Sequence, residues 1–291
     1  MKKINIFCFG FGQVAKDFIK KICSENISIN LSITSRNKKN RNKFNNINYK
    51  SFQFDGDNFD PKINNVLKKV DYILISIPPK NGTDIVFKNF SKIIINSNIK
   101  WITYLSATSV YGNHRGKWVS EVSKTNPSSP NGIDRLVAEN LWMSLYNKKK
   151  IPLQIFRLSG IYSNQSNILI RLKSGKANII NKKNHFFSRI NVEDIANVLF
   201  KSLSKFKKGE IYNISDDKPA PAKEVTLYGV KILGIKKPKK IAIKNMNNKM
   251  LKSFYKDSKK VDNKKMKKFF SYSLKFPTYV EGLKYIRNNF F

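Results

Sequence analysis

The residues Gly10-Phe11-Gly12-Gln13-Val14-Ala15 have the spacing G-x-G-x-x-A, which is typical of a phosphate-binding turn. They follow a short apolar run, Ile4 to Phe9, and open a segment with apolar residues at helical spacing, which is the context this turn requires. The first glycine permits the tight turn, the second lets a pyrophosphate approach the backbone, and the small third residue lets the helix pack closely on the strand. We therefore expect a dinucleotide at the helix N-terminus, with a plain turn as the alternative. The expected contacts are Gly10, Gly12, Gln13, Val14 and Ala15.

The end of the second strand decides cofactor choice in dinucleotide-binding folds, because a carboxylate there binds the ribose hydroxyls of NAD and an arginine favours NADP. The sequence at this place is Ile33-Thr34-Ser35-Arg36-Asn37-Lys38-Lys39, without a carboxylate. We expect Arg36 to pair with a 2′-phosphate and Ser35 to donate a hydrogen bond to it. The sequence therefore favours NADP over NAD, and a solvated turn is the competing interpretation.

Metal-ligating patterns are missing from the sequence. His114 and His185 have no companion at ligand spacing, and Cys8 and Cys23 fall on the first strand and first helix without partners. We expect no metal site. His114 lies in a polar loop, where solvation is a better interpretation than a role as proton carrier.

Strand and helix signals alternate through the first 160 residues, which indicates a parallel sheet covered by helices. After Gly160 the rhythm breaks. The sequence predicts an α/β protein: a Rossmann-type, doubly wound parallel sheet with a smaller, mixed C-terminal substrate domain. We place the nucleotide-binding domain at 1–165 and the smaller domain at 166–291, with a segment at about 186–215 packing back on the first.

Composition excludes several classes of protein. A hydrophobic content of 41% excludes general disorder, two cysteines exclude a disulfide scaffold, and no apolar run approaches the roughly 18 residues of a membrane helix. We expect a cytoplasmic protein with no membrane partner. The net charge of +37 comes mainly from lysine, since only eight cations are arginines, and abundant Lys, Asn and Ile is what an AT-rich genome encodes. A nucleic-acid partner is therefore disfavoured, although the charge steers anionic ligands toward the chain.

Four further segments carry a family resemblance. Leu105 to Gly112 resembles the S-S-x-x-V-Y-G segment of the extended short-chain dehydrogenases/reductases, also called the NAD-dependent epimerase/dehydratase family. Ser129 to Arg135, with Glu139, resembles the active-site helix S-P-Y-G-x-S-K-x-x-x-E of that family. The strand end Arg157 to Tyr162 and the element Ser188 to Ala196 also match. The resemblance covers about residues 4 to 215.

The resemblance implies further cofactor contacts. Asp55 matches a carboxylate that touches the adenine amino group, with a turn aspartate as an equal alternative. Ile77 and Pro78 match a turn that lines the adenosine ribose.

The catalytic positions of the family are substituted. The family uses a tyrosine as acid and base, a lysine that lowers its pKa and holds the ribose, and a serine or threonine that orients the substrate. These positions hold Asn131, Arg135 and Ala107. Asparagine cannot transfer a proton near neutral pH, whereas Arg135 can still bind the cofactor. The set is similar to that of the atypical short-chain dehydrogenases. The other candidate hydroxyls are Ser106, Thr108, Tyr111 and Tyr162, the two tyrosines being better interpreted as packing residues.

Three functions remain open from the sequence. The first is an NADP-binding oxidoreductase-like protein that acts on a small or sugar-nucleotide-like substrate. For such a protein a homodimer is one expected assembly. The second is a cofactor-binding sensor or scaffold without turnover, which the loss of the Tyr-Lys pair favours. The third, a nucleic-acid-associated basic protein, is weakened because no arginine/aromatic stacking pattern is visible along the chain.

Overall fold

The computed structural model describes residues 3–37, 42–246, 252 and 254–291. Its central feature, within these ranges, is a sheet of eight strands. The strands are β1 (Ile4–Phe9), β2 (Ile29–Ser35), β3 (Lys43–Phe44), β4 (Ile47–Gln53), β5 (Tyr72–Ile75), β6 (Trp101–Ala107), β8 (Leu153–Leu158) and β12 (Glu210–Ile214). Their order across the sheet is β12-β8-β6-β5-β1-β2-β4-β3.

The middle of the sheet is parallel. β1 pairs with β2 (Ile4 with Ile29) on one side and with β5 (Ile6 with Tyr72) on the other, and the parallel pairing continues from β2 to β4 and from β5 to β6. At one edge, β3 runs antiparallel to β4 and forms a hairpin with it. Because the chain leaves β1 toward β2 on one side and later returns on the other, the carboxyl end of β1 is the point where strand order reverses, which is where such sheets bind ligands.

The helices of the described ranges lie between strands in the sequence, except for the last two, which follow the last strand. Their bounds are α1 (Gln13–Ser24), α2 (Lys62–Leu67), α3 (Ile85–Ile95), α4 (Pro130–Lys149), α5 (Ile168–Lys173), α6 (Val192–Ser204), α7 (Ala222–Leu233), α8 (Lys264–Phe270) and α9 (Tyr279–Phe290). Side chains set several starts. The Asp84 carboxylate accepts hydrogen bonds from the amides of Val86 and Phe87 at 2.9 Å, and Thr278 with Glu281 forms a capping box at α9.

In the described part of the chain, three short parallel pairs of strands lie outside the main sheet. They are β9 (Gly160–Tyr162) with β11 (Arg189–Asn191), β10 (Ile179–Ile180) with β13 (Lys240–Ile241), and β7 (Trp118–Val119) with β14 (Lys260–Val261). The architecture is thus an α/β fold with a parallel Rossmann-like sheet and smaller sheets formed mainly by the later part of the chain, and the predicted fold class is confirmed.

The chain divides into two compact units. Unit one comprises Met1–Ser106, Asp134–Arg157 and Ile195–Tyr212, and unit two comprises Ala107–Ile133, Leu158–Asp194 and Asn213–Phe291. The observed units therefore use several stretches each, whereas the sequence analysis places one boundary at residue 165. Residues 195–212, part of the segment predicted to pack back, are in unit one.

Each unit has its own apolar core. In unit one, aromatic residues of the sheet and of α3 pack together, as in the 5.1 Å separation of the Phe9 and Phe90 ring centres. In unit two, α5, α7 and α9 bury Leu169, Val225 and Leu283. A hydrophobic core of this kind fixes the strand ends that carry the candidate site.

Candidate functional site

The glycine turn after β1 is held in a conformation that only glycine adopts without strain. Gly10 has φ +83°, and a Cβ there would lie 2.9 Å from Ser76 Oγ and 3.1 Å from Ile77 Cγ1. Its amide donates a hydrogen bond to Thr34 Oγ1 at 2.8 Å. The turn is therefore fixed from β2 as well as from the segment after β5.

Ser76 completes this arrangement. Its hydroxyl is 2.9 Å from the carbonyl oxygen of Phe9, to which it donates, and 3.2 Å from that of Gly10. Neither Thr34 nor Ser76 was among the predicted site residues. Their signal was only positional, since each is a small hydroxyl residue at the carboxyl end of a strand that neighbours β1.

Gly12 presents open space where Gly10 is crowded. It is the N-cap of α1 with φ −80° and ψ −167°, and a Cβ built on it meets no heavy atom within 4 Å. The first helical turn of α1 begins with Gln13, and the side chains of Val14 and Ala15 are buried. The first amides of a helix lack intrahelical partners and carry the positive end of the helix dipole, so this surface suits an anion.

Ser35 and Arg36 lie at the end of β2, on the predicted side of the turn. The Ser35 hydroxyl donates to the carbonyl oxygen of Asn37, within its own turn. Arg36 is exposed to solvent. Lys38 and Lys39, which belong to the same predicted cofactor-choosing stretch, are outside the described residues. Arg36 is therefore available to an anionic ligand, and its role in cofactor choice stays a prediction.

Asp55 caps its own turn. Its Oδ1 accepts hydrogen bonds from the amides of Asn58 at 2.9 Å and Asp57 at 3.1 Å. These bonds, led by that from Asn58, lower the pKa of the exposed carboxyl group. The turn role raised in the sequence analysis is therefore present in the structure, and contact with adenine stays a prediction. Ile77 is half-buried and Pro78 is exposed.

Arg135 is attached to the carboxyl end of β6. Its Nη1 donates to the carbonyl oxygen of Leu105 at 2.8 Å. The neighbouring Asp134 accepts a hydrogen bond from the Gly82 amide at 2.7 Å. A guanidinium has five N–H donors, so a single bond to Leu105 orients Arg135 and leaves donors for a ribose or phosphate.

Glu139 and Arg157, both part of the family resemblance, form a buried ion pair in unit one. Arg157 Nη2 lies 2.7 Å from Glu139 Oε2, Arg157 Nε contacts both carboxylate oxygens at 3.1 Å, and the side chains are 5% and 3% exposed. The pair joins α4 to β8. These two residues are therefore structural.

The substituted catalytic positions differ in accessibility. Asn131 is exposed in the first turn of α4, and Ala107 at the end of β6 is half-buried. Ser106 is 1% exposed, and its hydroxyl has no hydrogen-bond partner within the described part of the chain. Thr108 begins a short 3₁₀ helix and is half-buried.

Tyr111 is fully buried in unit two. Its hydroxyl is 2.7 Å from Asn213 Oδ1, to which it donates. Full burial and this hydrogen bond give Tyr111 a packing role. The sequence analysis preferred this role to that of a proton donor. Tyr162 is also buried, and burial raises the pKa of its hydroxyl.

His114 is held by two main-chain oxygens. Its Nε2 lies 3.1 Å from the carbonyl oxygens of both Tyr111 and Lys124, so that nitrogen carries the proton. His185 is buried, and desolvation lowers its pKa to about 4, which keeps the imidazole neutral. Over the described ranges, no three His, Cys, Asp or Glu side chains are grouped to hold a metal ion. No helix in those ranges is both long and apolar enough to cross a membrane.

Comparison with solved structures assigns the fold. A functionally unknown conserved protein from Silicibacter pomeroyi DSS matches with a TM-score of 0.88 and 30% identity over 99% of each chain. The dTDP-glucose 4,6-dehydratase of Bacillus anthracis str. Ames, solved with NAD, matches with a TM-score of 0.79 and 18% identity over 98% of this chain and 96% of that one.

A UDP-N-acetylglucosamine 4-epimerase from Methanobrevibacter ruminantium M1, in complex with UDP-N-acetylmuramic acid, matches with a TM-score of 0.79 and 15% identity over 99% and 98% of the chains. No protein-family model and no curated protein sequence matches the chain. Its fold is that of the extended short-chain dehydrogenases/reductases, the NAD-dependent epimerase/dehydratase family, across the full chain, as the motifs predicted. The chain belongs to the same family as the Silicibacter pomeroyi protein.

Proposed function

We propose that this protein binds NADP(H) at the glycine turn, as an oxidoreductase-like protein of the epimerase/dehydratase fold. The observation that carries the proposal is the open N-terminus of α1 at Gly12, next to a turn that Thr34 and Ser76 hold rigid. A pyrophosphate fits this surface because a Cβ built at Gly12 meets no heavy atom within 4 Å, so a phosphate has room at the N-terminus of α1. Solved proteins of the same fold contain NAD, which supports a dinucleotide as the ligand.

The residues around the turn fit the other parts of the cofactor. Arg36 is exposed at the end of β2, where its charge suits a 2′-phosphate and no carboxylate competes. Arg135 has donors left for the nicotinamide ribose after its bond to Leu105. Bound NADP(H) supplies hydride transfer at its nicotinamide ring. The chain's own residues bind the pyrophosphate and orient the ribose.

Proton transfer by the usual family route is not available. Asn131 has no titratable group near neutral pH, and Ala107 has no hydroxyl to orient a substrate oxygen. These substitutions favour a second candidate, in which the protein binds the cofactor with little or no turnover and acts as a sensor or scaffold. If a substrate is bound, a sugar nucleotide is the class we propose, since proteins of this fold were solved with UDP-sugars. A cytoplasmic location belongs to the same proposal, as does a homodimer.

Calorimetric titration with NADPH and NADH tests the binding proposal. We expect saturable binding, tighter for NADPH, and the absence of binding to either nucleotide would contradict it. An assay of NADPH oxidation over a panel of carbonyl and sugar-nucleotide substrates then separates the two candidates. We expect negligible turnover by the wild type and compare it with Asn131→Ala and with the double variant Asn131→Tyr, Arg135→Lys. Robust wild-type turnover that is lost in Asn131→Ala would make Asn131 a working residue and overturn the second candidate.

A further inference from the structure

A loop of unit two, from Gly112 to Trp118, is fixed firmly in place. Gly112 has φ +67°, and a Cβ there would collide with the carbonyl oxygen of Asn126, so the loop leaves Tyr111 along one path. The Lys259 ammonium donates to the Gly112 carbonyl oxygen at 3.1 Å. The carbonyl oxygen of Ser258 accepts from the amides of His114 at 3.0 Å and Gly116 at 2.9 Å. A loop bonded in this way presents its side chains in a defined geometry.

Ser258 also holds a second, distant segment of unit two. Its hydroxyl donates to the carbonyl oxygen of Asn184 at 3.0 Å and accepts from the amide of Phe186 at 3.1 Å. Beyond it, the Lys260 amide donates to the Lys117 carbonyl oxygen at 2.9 Å, as part of the β7–β14 pair. Three segments that are far apart in the sequence are thereby joined at a single buried serine.

These contacts bring Trp118, Phe186 and Lys260 together. With the exposed Arg115 and Lys117 from the same loop as Trp118, we call these residues the Trp118 patch. Trp118 is 56% exposed. The Lys260 ammonium lies 4.3 Å from the centre of the Phe186 ring and 6.0 Å from that of Trp118. Arg115 and Lys117 are exposed on the same loop as Trp118. The patch therefore offers a large aromatic face beside several cations.

The carboxylates in the neighbouring segments are partly withdrawn from the surface. Glu121, Asp257 and Asp262 are half-buried, and each accepts a hydrogen bond from within unit two. The whole chain carries +37, so a polyanion is attracted from a distance and then meets an aromatic face.

We propose that the Trp118 patch binds single-stranded nucleic acid, with a base stacked on Trp118 and the flanking phosphates paired with Lys260, Lys117 and Arg115. Stacking on an exposed aromatic ring beside a cationic track is how single strands are bound without sequence preference. The pattern is invisible along the sequence because its aromatic and cationic members come from different segments. This inference is independent of nucleotide binding at Gly12.

The first test is fluorescence anisotropy with a labelled twelve-nucleotide oligouridylate and the full-length protein. Trp118→Ala is expected to weaken binding about tenfold or more, and Trp118→Phe to retain most of it, because a stacking face remains. Lys260→Gln is expected to weaken binding and to lower the slope of log K against log salt by about one. The matched controls are Phe290→Ala, which removes another exposed aromatic ring, and Lys231→Gln, which removes another exposed charge.

Equal losses in the patch variants and the controls would overturn the proposal, since they would show attraction by net charge alone. The absence of binding by the wild type would overturn it as well.

Intrinsic fluorescence reports on the same contact. The chain has three tryptophans, and Trp101 and Trp142 are buried, so quenching by the oligonucleotide reports on Trp118. Quenching that saturates with the anisotropy signal supports the proposal. Two outcomes, each lost in Trp118→Ala, would overturn it. Uridine monophosphate binding as tightly as the oligonucleotide would favour a free nucleotide, and anionic phosphatidylglycerol vesicles binding more tightly than the oligonucleotide would favour a membrane surface.

Discussion

Gly12→Val places a branched side chain at the N-cap of α1, in the space that a pyrophosphate needs. The backbone of Gly12 (φ −80°, ψ −167°) is extended and open to any residue, and a Cβ there meets no heavy atom within 4 Å. We therefore expect the free energy of unfolding to change by less than about 1 kcal/mol. The variant keeps its fold and loses the approach to the helix amides.

The loss of binding follows from the hydrogen bonds that the valine prevents. A charge-assisted hydrogen bond contributes about 1.5–3 kcal/mol, so losing a single phosphate contact raises the Kd for NADPH roughly ten- to hundredfold. Gly10→Ala is the matched control, because its positive φ costs about 1–2 kcal/mol and its Cβ crowds Ser76 Oγ at 2.9 Å. Gly10→Ala should therefore lower the melting temperature, which Gly12→Val leaves unchanged.

Calorimetric titration with NADPH measures the affinity, and thermal unfolding without nucleotide measures the stability. Wild-type affinity in Gly12→Val would refute the assignment of the pyrophosphate to this turn. A large fall in the melting temperature of Gly12→Val would refute the structural argument that the position is open.

Three further predictions concern other residues. Arg36→Ala should lower the affinity for NADPH toward that for NADH, because it removes a charge-assisted contact worth roughly 1.5–3 kcal/mol. An equal effect on both cofactors in calorimetric titration would show that Arg36 is a surface residue without a role in cofactor choice. Arg157→Met should lower the free energy of unfolding, measured by chemical denaturation, by about 3–5 kcal/mol, because it leaves Glu139 buried without its partner. The double variant Glu139→Leu, Arg157→Met should recover part of that loss. Wild-type stability in Arg157→Met would contradict this prediction. His185 has a folded pKa of about 4 against an ordinary value of 6.5, so the unfolded chain binds more protons between these values and stability falls as pH falls through that window. His185→Phe should make the melting temperature less dependent on pH there, and an unchanged pH profile would show that other groups dominate.

The first 160 residues could be predicted closely from the sequence because several of their elements are long and periodic. β1 has the bounds that its apolar run, Ile4 to Phe9, indicates. The glycine turn was recognised from its spacing, which needs only local information. The fold family followed from motifs in the right order along the chain.

What the sequence could not predict depends on contacts between distant residues. The two-residue strands β7 and β14 show no alternation, and nothing local indicates that Ser258 joins them to a third segment. Thr34 looks like an ordinary strand residue until β1 and β2 are aligned and its hydroxyl meets the Gly10 amide. The start of α9 is a different case, because the capping box of Thr278 and Glu281 was present in the sequence and was not used.

If the proposed nucleotide binds at the bare N-cap of α1, it links the amount of folded protein to the supply of that nucleotide. Gly12 has no side chain to cap α1, and the positive end of the helix dipole at this N-terminus stabilises a bound anion. A nucleotide that binds the folded chain alone adds about 2.7 kcal/mol to its stability at a hundredfold excess over Kd. Under proteolysis, such a protein would be degraded more slowly when the nucleotide is abundant, so its cellular lifetime would record the supply of that nucleotide.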